Sequence, residues 1–122
     1  MKVIKVKVNS APEVIDIDNT LEAFQEAVGG YIETISLNGD ELVVCNEDAI
    51  NLRLPINRTL VFKTPAGNFY NVPVLGDFVI CGTDGEDFCE LDADRERILL
   101  EQFQKNRISV GSNEGQITMG GV

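Results

Sequence analysis

The chain has no histidine and no tryptophan in 122 residues. Without an imidazole, no His-dependent triad, His general base or His metal ligand can be built. Cysteine is scarce as well: Cys45, Cys81 and Cys89 are an odd number at unpatterned spacing, with no CxxC pair. This excludes a disulfide framework and a Cys/His zinc site and leaves three thiols as small apolar core residues. No run of apolar residues approaches the ~18 that a membrane-crossing helix needs. The opening MKVIKVKV alternates where a signal peptide would be continuously apolar, so it predicts a strand and a cytoplasmic protein. Positive charge is in short supply, with 10 Lys and Arg against 20 Asp and Glu, a net charge of −10 and a pI near 4.3. Such a field opposes direct nucleic-acid binding, which must neutralise phosphates.

Several motifs are also missing. There is no Walker A sequence and no GxGxxG. The acidic stretch beginning at Asp84 resembles a calcium loop only until its fifth and sixth positions, which are Phe88 and Cys89 where an oxygen ligand and a glycine are required. The sequence therefore calls for no metal and no cofactor. Cys45 precedes Asn46-Glu47, and a neighbouring carboxylate raises a thiol's pKa, which argues against a cysteine nucleophile.

What is present reads as one domain with its core over residues 2–105. At this length a chain buries most of its apolar surface. Lys2–Val8 alternates as a strand, and Val14, Ile15 and Ile17 form a second short extended segment. Asp18-Asn19-Thr20 supplies N-cap chemistry, with Glu22 three residues after Asn19 as in a capping box. Leu21, Phe24 and Val28 share one helix face, and Gly29-Gly30 ends that helix. Tyr31–Leu37 and Glu41–Cys45 form a hairpin around Asn38-Gly39, a dipeptide suited to a type I′ turn. Thr59–Lys63 and Phe69–Val74 are strand-like around a Pro-Ala-Gly-Asn turn, and Phe78–Cys81 is a buried strand. Asp92 caps a helix from about Ala93 to Lys105, with Ile98, Leu99, Gln102 and Phe103 inward. The Gly- and Ser-rich segment 111–122 is expected to be loose or ordered only against a partner. These elements predict an α+β domain: a single mixed, mostly antiparallel sheet with two helices packed on it.

Polar side chains interrupt this apolar pattern at Glu33, Asn46, Glu47, Asn57 and Arg58, with Tyr31 directly after the two glycines. Asn donates and accepts, Glu accepts, and Arg forks onto carboxylates or phosphates, so together they suit a ligand-binding site for a nucleotide-like molecule. Plainer roles stay open: turn-stabilising asparagines, an ordinary Glu47–Arg58 ion pair, a half-buried strand tyrosine. A second feature is the crowding of acids over Asp84–Glu96, which suits solubility or a basic partner protein.

At these same residues the chain resembles domain-of-unknown-function family 3846, found in bacteria, phages and mobile elements. The resemblance rests on Leu21–Gln25, Val28-Gly29-Gly30-Tyr31-Ile32-Glu33, Cys45-Asn46-Glu47, Leu54-Pro55-Ile56-Asn57-Arg58, Gly76–Gly82 and the Leu91–Phe103 helix, in order over residues 12–104. Residues 59–75 look like a longer, hairpin-like insertion, and the Gly-rich tail is not part of the family pattern. The resemblance implies a small α+β protein in a phage or mobile-element setting, hence the host cytosol, and brings no catalytic residues.

The expectation is a non-enzymatic binding protein that sequesters a nucleotide-derived signal to counter host defence. The alternative is an acidic protein–protein inhibitor that imitates nucleic acid and meets a basic host protein. A small enzyme using Glu33 or Glu47 as base comes third. An exposed edge on the first strand or on the 59–75 hairpin suggests a homodimer or higher homo-oligomer.

Overall fold

The computed structural model describes residues 1–110 and the backbone of Gln116–Thr118. Its elements are β1 (Lys2–Val6), β2 (Glu13–Asp16), α1 (Leu21–Val28), β3 (Ile32–Ser36), β4 (Glu41–Asn46), β5 (Ile56–Lys63), β6 (Phe69–Leu75), β7 (Phe78–Asp84), β8 (Asp87–Cys89), α2 (Ala93–Gln102), β9 (Arg107–Ser109) and β10 (Gln116–Thr118). The expected α+β class holds, but the strands divide between two sheets. The larger runs β10-β3-β4-β7-β1-β2, with β8 paired to the far end of β7; the smaller runs β6-β5-β9.

The period of two along each strand explains the layering. On β4, Val43 and Cys45 face one way and Val44 the other; on β7, Phe78 and Ile80 oppose Val79 and Cys81. One face packs with Phe24 and Val28 of α1. The other packs with Leu60, Phe62 and Val74 of the small sheet and with Leu99 and Phe103 by α2. The large sheet is thus covered on both sides, which is why its strands read as unbroken apolar runs. Phe24 meets Phe88 edge-on at 4.7 Å and Phe78 meets Phe103 at 6.0 Å. Burying each such side chain contributes roughly 1.5–3 kcal/mol.

Local details depart from the sequence reading. Thr20, not Asn19, caps α1 by accepting from the Ala23 amide at 3.2 Å, while Asn19 donates to the Phe88 carbonyl. The β3–β4 hairpin forms, but Leu37 donates to the Glu41 carbonyl across three residues, and of Asn38 and Gly39 only Gly39 has positive φ. A two-residue type I′ turn, which needs positive φ at both central positions, is thereby excluded. Asp92 precedes α2 without a side-chain cap, and the helix ends at Gln102. The expectation for 111–122 falls outside the described residues except at Gln116–Thr118, whose backbone pairs with β3.

The stretch that looks like an insertion is the body of the second sheet. It is completed by β9, a three-residue strand parallel to β5 that carries too short a pattern to be read. The edge expected on the first strand does not exist, because β1 lies between β7 and β2. Among the described residues no strand pairs with the outer edge of β6, but that edge is altered. Thr59 donates to Asn106 and Val61 accepts from Val110, so the β5 residues opposite Pro73 and Asn71 turn their backbone towards β9. By the alternation of an antiparallel ladder, Pro73 then faces the open edge, where its missing N–H interrupts further pairing. Among the described residues, no helix is long and apolar enough to cross a membrane.

Candidate functional site

The six residues singled out by sequence do not converge. Asn46 is 2 % exposed; its Nδ2 donates to the Val28 carbonyl at 3.1 Å and its Oδ1 accepts from the Asp48 amide at 2.7 Å. It therefore ties the C-terminus of α1, where a carbonyl lacks a helical donor, to the turn after β4. Gly29 takes the left-handed conformation (φ 81°) that stops α1. Gly30 is needed for another reason: a Cβ there would lie 3.0 Å from Asn46 Nδ2. The Val28–Glu33 and Cys45–Glu47 motifs are thus two halves of one joint.

Asn57 and Arg58 form a second joint. Asn57 Nδ2 donates to the carbonyls of Val6 (2.8 Å) and Gly76 (2.9 Å). Its Oδ1 accepts from Arg58 Nη1 at 2.8 Å. Arg58, 4 % exposed, also donates through Nε to the Phe103 carbonyl at 3.0 Å and through Nη2 to the Ser10 carbonyl at 2.7 Å. The guanidinium thus sits at the C-terminal end of α2, where a cation complements the helix dipole. It is spent on carbonyls and does not pair with Glu47. Arg58 therefore has no nitrogen left free for a phosphate, and Asn57 and Arg58 hold the fold together; Asn46 does so as well and also lines the cavity described next. Tyr31, directly before β3, is 72 % exposed, and it lies outside that cavity.

Glu33 behaves differently. It pairs across β3–β4 with Cys45, on the face turned towards the small sheet. There a cavity of ≈ 300 Å³ opens between the β3–β4 end, the 46–54 loop and β6. Glu33, Asn46 and Glu47 line it together with Ile35, Cys45, Ala49, Ile50 and the run Val72–Leu75. Glu33 Oε1 receives a weak contact from the Cys45 thiol at 3.7 Å, and its Oε2 is buried without a hydrogen-bond partner. Burial raises the Glu33 carboxyl above its ordinary range; the Cys45 contact opposes this, and the nearby Glu47 charge adds a smaller upward push. Burial followed by the Glu33 charge drives the Cys45 thiol far upward, out of reach of a thiolate nucleophile. Among the described residues no Lys or Arg lines this cavity.

Among the described residues there are also two wider depressions. One, of ≈ 650 Å³, lies between β2 and α1, where the Met1 ammonium is bonded to Asp16. The other, of ≈ 620 Å³, surrounds the β3–β4 turn, where a buried Glu41 receives both Nε and Nη2 of Arg95. Their central charges are satisfied within the protein. The Glu41–Arg95 pair was not read from sequence, since nothing in the spacing of residues 54 apart signals it. The apolar cavity walls on β6 and Ile50 were missed likewise. Among the described residues, no group of three or more Cys, Asp and Glu is placed to hold a metal ion.

Fold and site together define an acidic α+β domain with a small, mostly apolar cavity that has two carboxylates in its wall, Glu33 with an unpartnered oxygen. The chain belongs to the family described as Domain of unknown function (DUF3846), whose model matches residues 1–104 of the 122. No curated protein and no solved structure matches the chain.

Proposed function

We propose that this chain is a non-enzymatic binding protein of phage or mobile-element type, and that it captures a small ligand in the cavity between β3–β4 and β6. The observation that carries the reading is Glu33 Oε2, a buried acceptor without a partner in the wall of a mostly apolar cavity. An unsatisfied buried acceptor costs about 1–3 kcal/mol, and a ligand donor would remove that cost. A nucleotide-derived signal would find no counter-charge for its phosphates here, because Arg58 is committed to backbone carbonyls. The recognised part of the ligand is therefore a hydrogen-bond-donating edge. Turnover has no support from the usual groups: the chain has no histidine, and burial beside Glu33 holds the Cys45 thiol protonated.

Native mass spectrometry of the purified protein, alongside calorimetry with nucleosides and nucleotides, tests this. A bound small molecule that the Glu33→Gln variant loses is expected. An empty protein, with no heat from any member of the panel, would sink the proposal.

The acidic-inhibitor alternative has its own support. Asp84, Glu86, Asp87, Glu90, Asp92 and Asp94 are all exposed along the β7–β8 hairpin and the start of α2. A basic partner would be expected to bind there in a salt-sensitive way. Neutralising four of these acids without loss of that binding would exclude it.

A further inference from the structure

Resting on the binding reading above, we infer that the ligand of the β3–β4/β6 cavity is an organic cation, an amidinium, guanidinium or ammonium group carried on a small apolar body. Four features of the cavity converge on this. Both charged side chains that line it, Glu33 and Glu47, are negative. No Lys or Arg among the described residues lines it to neutralise them: Arg53, on the loop after Ile50, is exposed and outside the wall, and Arg58 points its donors to Ser10, Asn57 and Phe103. Apart from Asn46 and the Cys45 thiol, the remaining wall is Ile35, Ala49, Ile50 and the β6 run, which would receive an apolar body of modest size. The net charge of −10 adds an attractive field for any cation and a repulsive one for any anion.

A volume of ≈ 300 Å³ stands at the small end of ligand pockets, enough for one aromatic ring with a short polar arm. The arm would meet Glu33, whose Oε2 is the free acceptor, with Glu47 nearby. Ile50, 81 % exposed at the wall, would be covered as the ligand settles. Among the described residues the titratable groups facing Glu33 are the Cys45 thiol from β4 and Glu47 from the following loop; β6 contributes none. A cation beside Glu33 favours the ionised carboxylate, so binding releases a proton wherever Glu33 is protonated in the free protein. Affinity then climbs with pH, by up to about tenfold per unit, until Glu33 is ionised in the free protein, and is level above.

Benzamidine and benzamide separate charge from shape and from N–H donation. Calorimetry at pH 4.5, 6 and 7.5, in buffers of different ionisation enthalpy, is expected to show benzamidine binding at least tenfold tighter than benzamide at pH 7.5. The gap should narrow at pH 4.5, with proton release in between, and Glu33→Gln should abolish it. If benzamide or guanosine binds as tightly as benzamidine and Glu33→Gln weakens all three, the ligand is neutral: the cation inference falls and the cavity reading stands. If none of the three binds and no co-purifying molecule depends on Glu33, both fall.

Discussion

Glu33 is a residue that the fold tolerates rather than needs. Its carboxyl is held above the ordinary range by burial, so between the unfolded value of 4.5 and its higher native value the folded protein binds the proton more tightly. Stability therefore decreases as pH rises through that window, is free of the penalty below it, and is level above it. Glu33→Gln removes the ionisation. Its melting temperature is expected to exceed that of the parent at pH 7.5 and to match it near pH 4, measured by calorimetric scans across pH; an equal difference at both ends would show that ionisation is not the cause. A gain in stability on losing a charge is the pattern of a site whose function opposes its packing. Arg58 is the contrasting case. Arg58→Met strands the Phe103 and Ser10 carbonyls and Asn57 Oδ1, and is expected to cost roughly 3 kcal/mol or more in urea unfolding. A change below about 0.5 kcal/mol would contradict the joint described above.

At the scale of elements, what the sequence makes legible is local. The α1 stop at Gly29, the β3–β4 hairpin and the β7 strand all follow from signals within ten residues of one another. The polar residues were legible as exceptions to the apolar pattern, but their purpose was not. Asn57 reaches Val6, 51 residues away, and Arg58 reaches Ser10 and Phe103, 48 and 45 residues away, and no spacing rule relates such positions. Glu33, identical in kind within the sequence, is left with Oε2 unpartnered because its neighbour across the ladder is a cysteine, whose thiol reaches only Oε1 and weakly. The second sheet was hidden because β9 has three residues and joins β5 in parallel, at long separation. Its β6 edge yields a prediction. The strand carries no charged side chain, exposes Phe69 and Tyr70, and turns Pro73 to the open side. Pro73→Val restores an outward N–H and is expected to raise self-association in sedimentation equilibrium, by joining β6 to another edge. If the variant stays in the parent's oligomeric state at millimolar concentration, the proline is not what limits this edge.

For the whole molecule the dominant long-range term is its charge. Cations are few and partly withdrawn: Arg58 lies inside, Arg95 is bound to Glu41, and the Met1 ammonium is bound to Asp16. The acids of the β7–β8 hairpin and the first turn of α2 are left facing water, with Arg97 meeting Asp94 at 3.7 Å as a loose surface pair. Surface pairs of that kind contribute about 0–1 kcal/mol, whereas like charges repelling across the molecule destabilise the compact state collectively. Screening lengths fall from ~30 Å at 0.01 M salt to ~10 Å at 0.1 M, so salt weakens the collective repulsion. The melting temperature is therefore expected to rise between 10 and 300 mM sodium chloride at pH 7.5. Replacing Asp84, Glu86 and Asp87 by their amides should raise it at low salt and flatten the response. A fall with salt would mean that the ion pairs at Met1–Asp16, Lys7–Glu13 and Arg97–Asp94 outweigh the repulsion. The same triple variant separates the two functional readings. Capture in the cavity involves Glu33 and is expected to persist in it, because the three acids lie outside the cavity wall. Binding of a basic partner through the acidic hairpin is expected to weaken, most visibly at low salt.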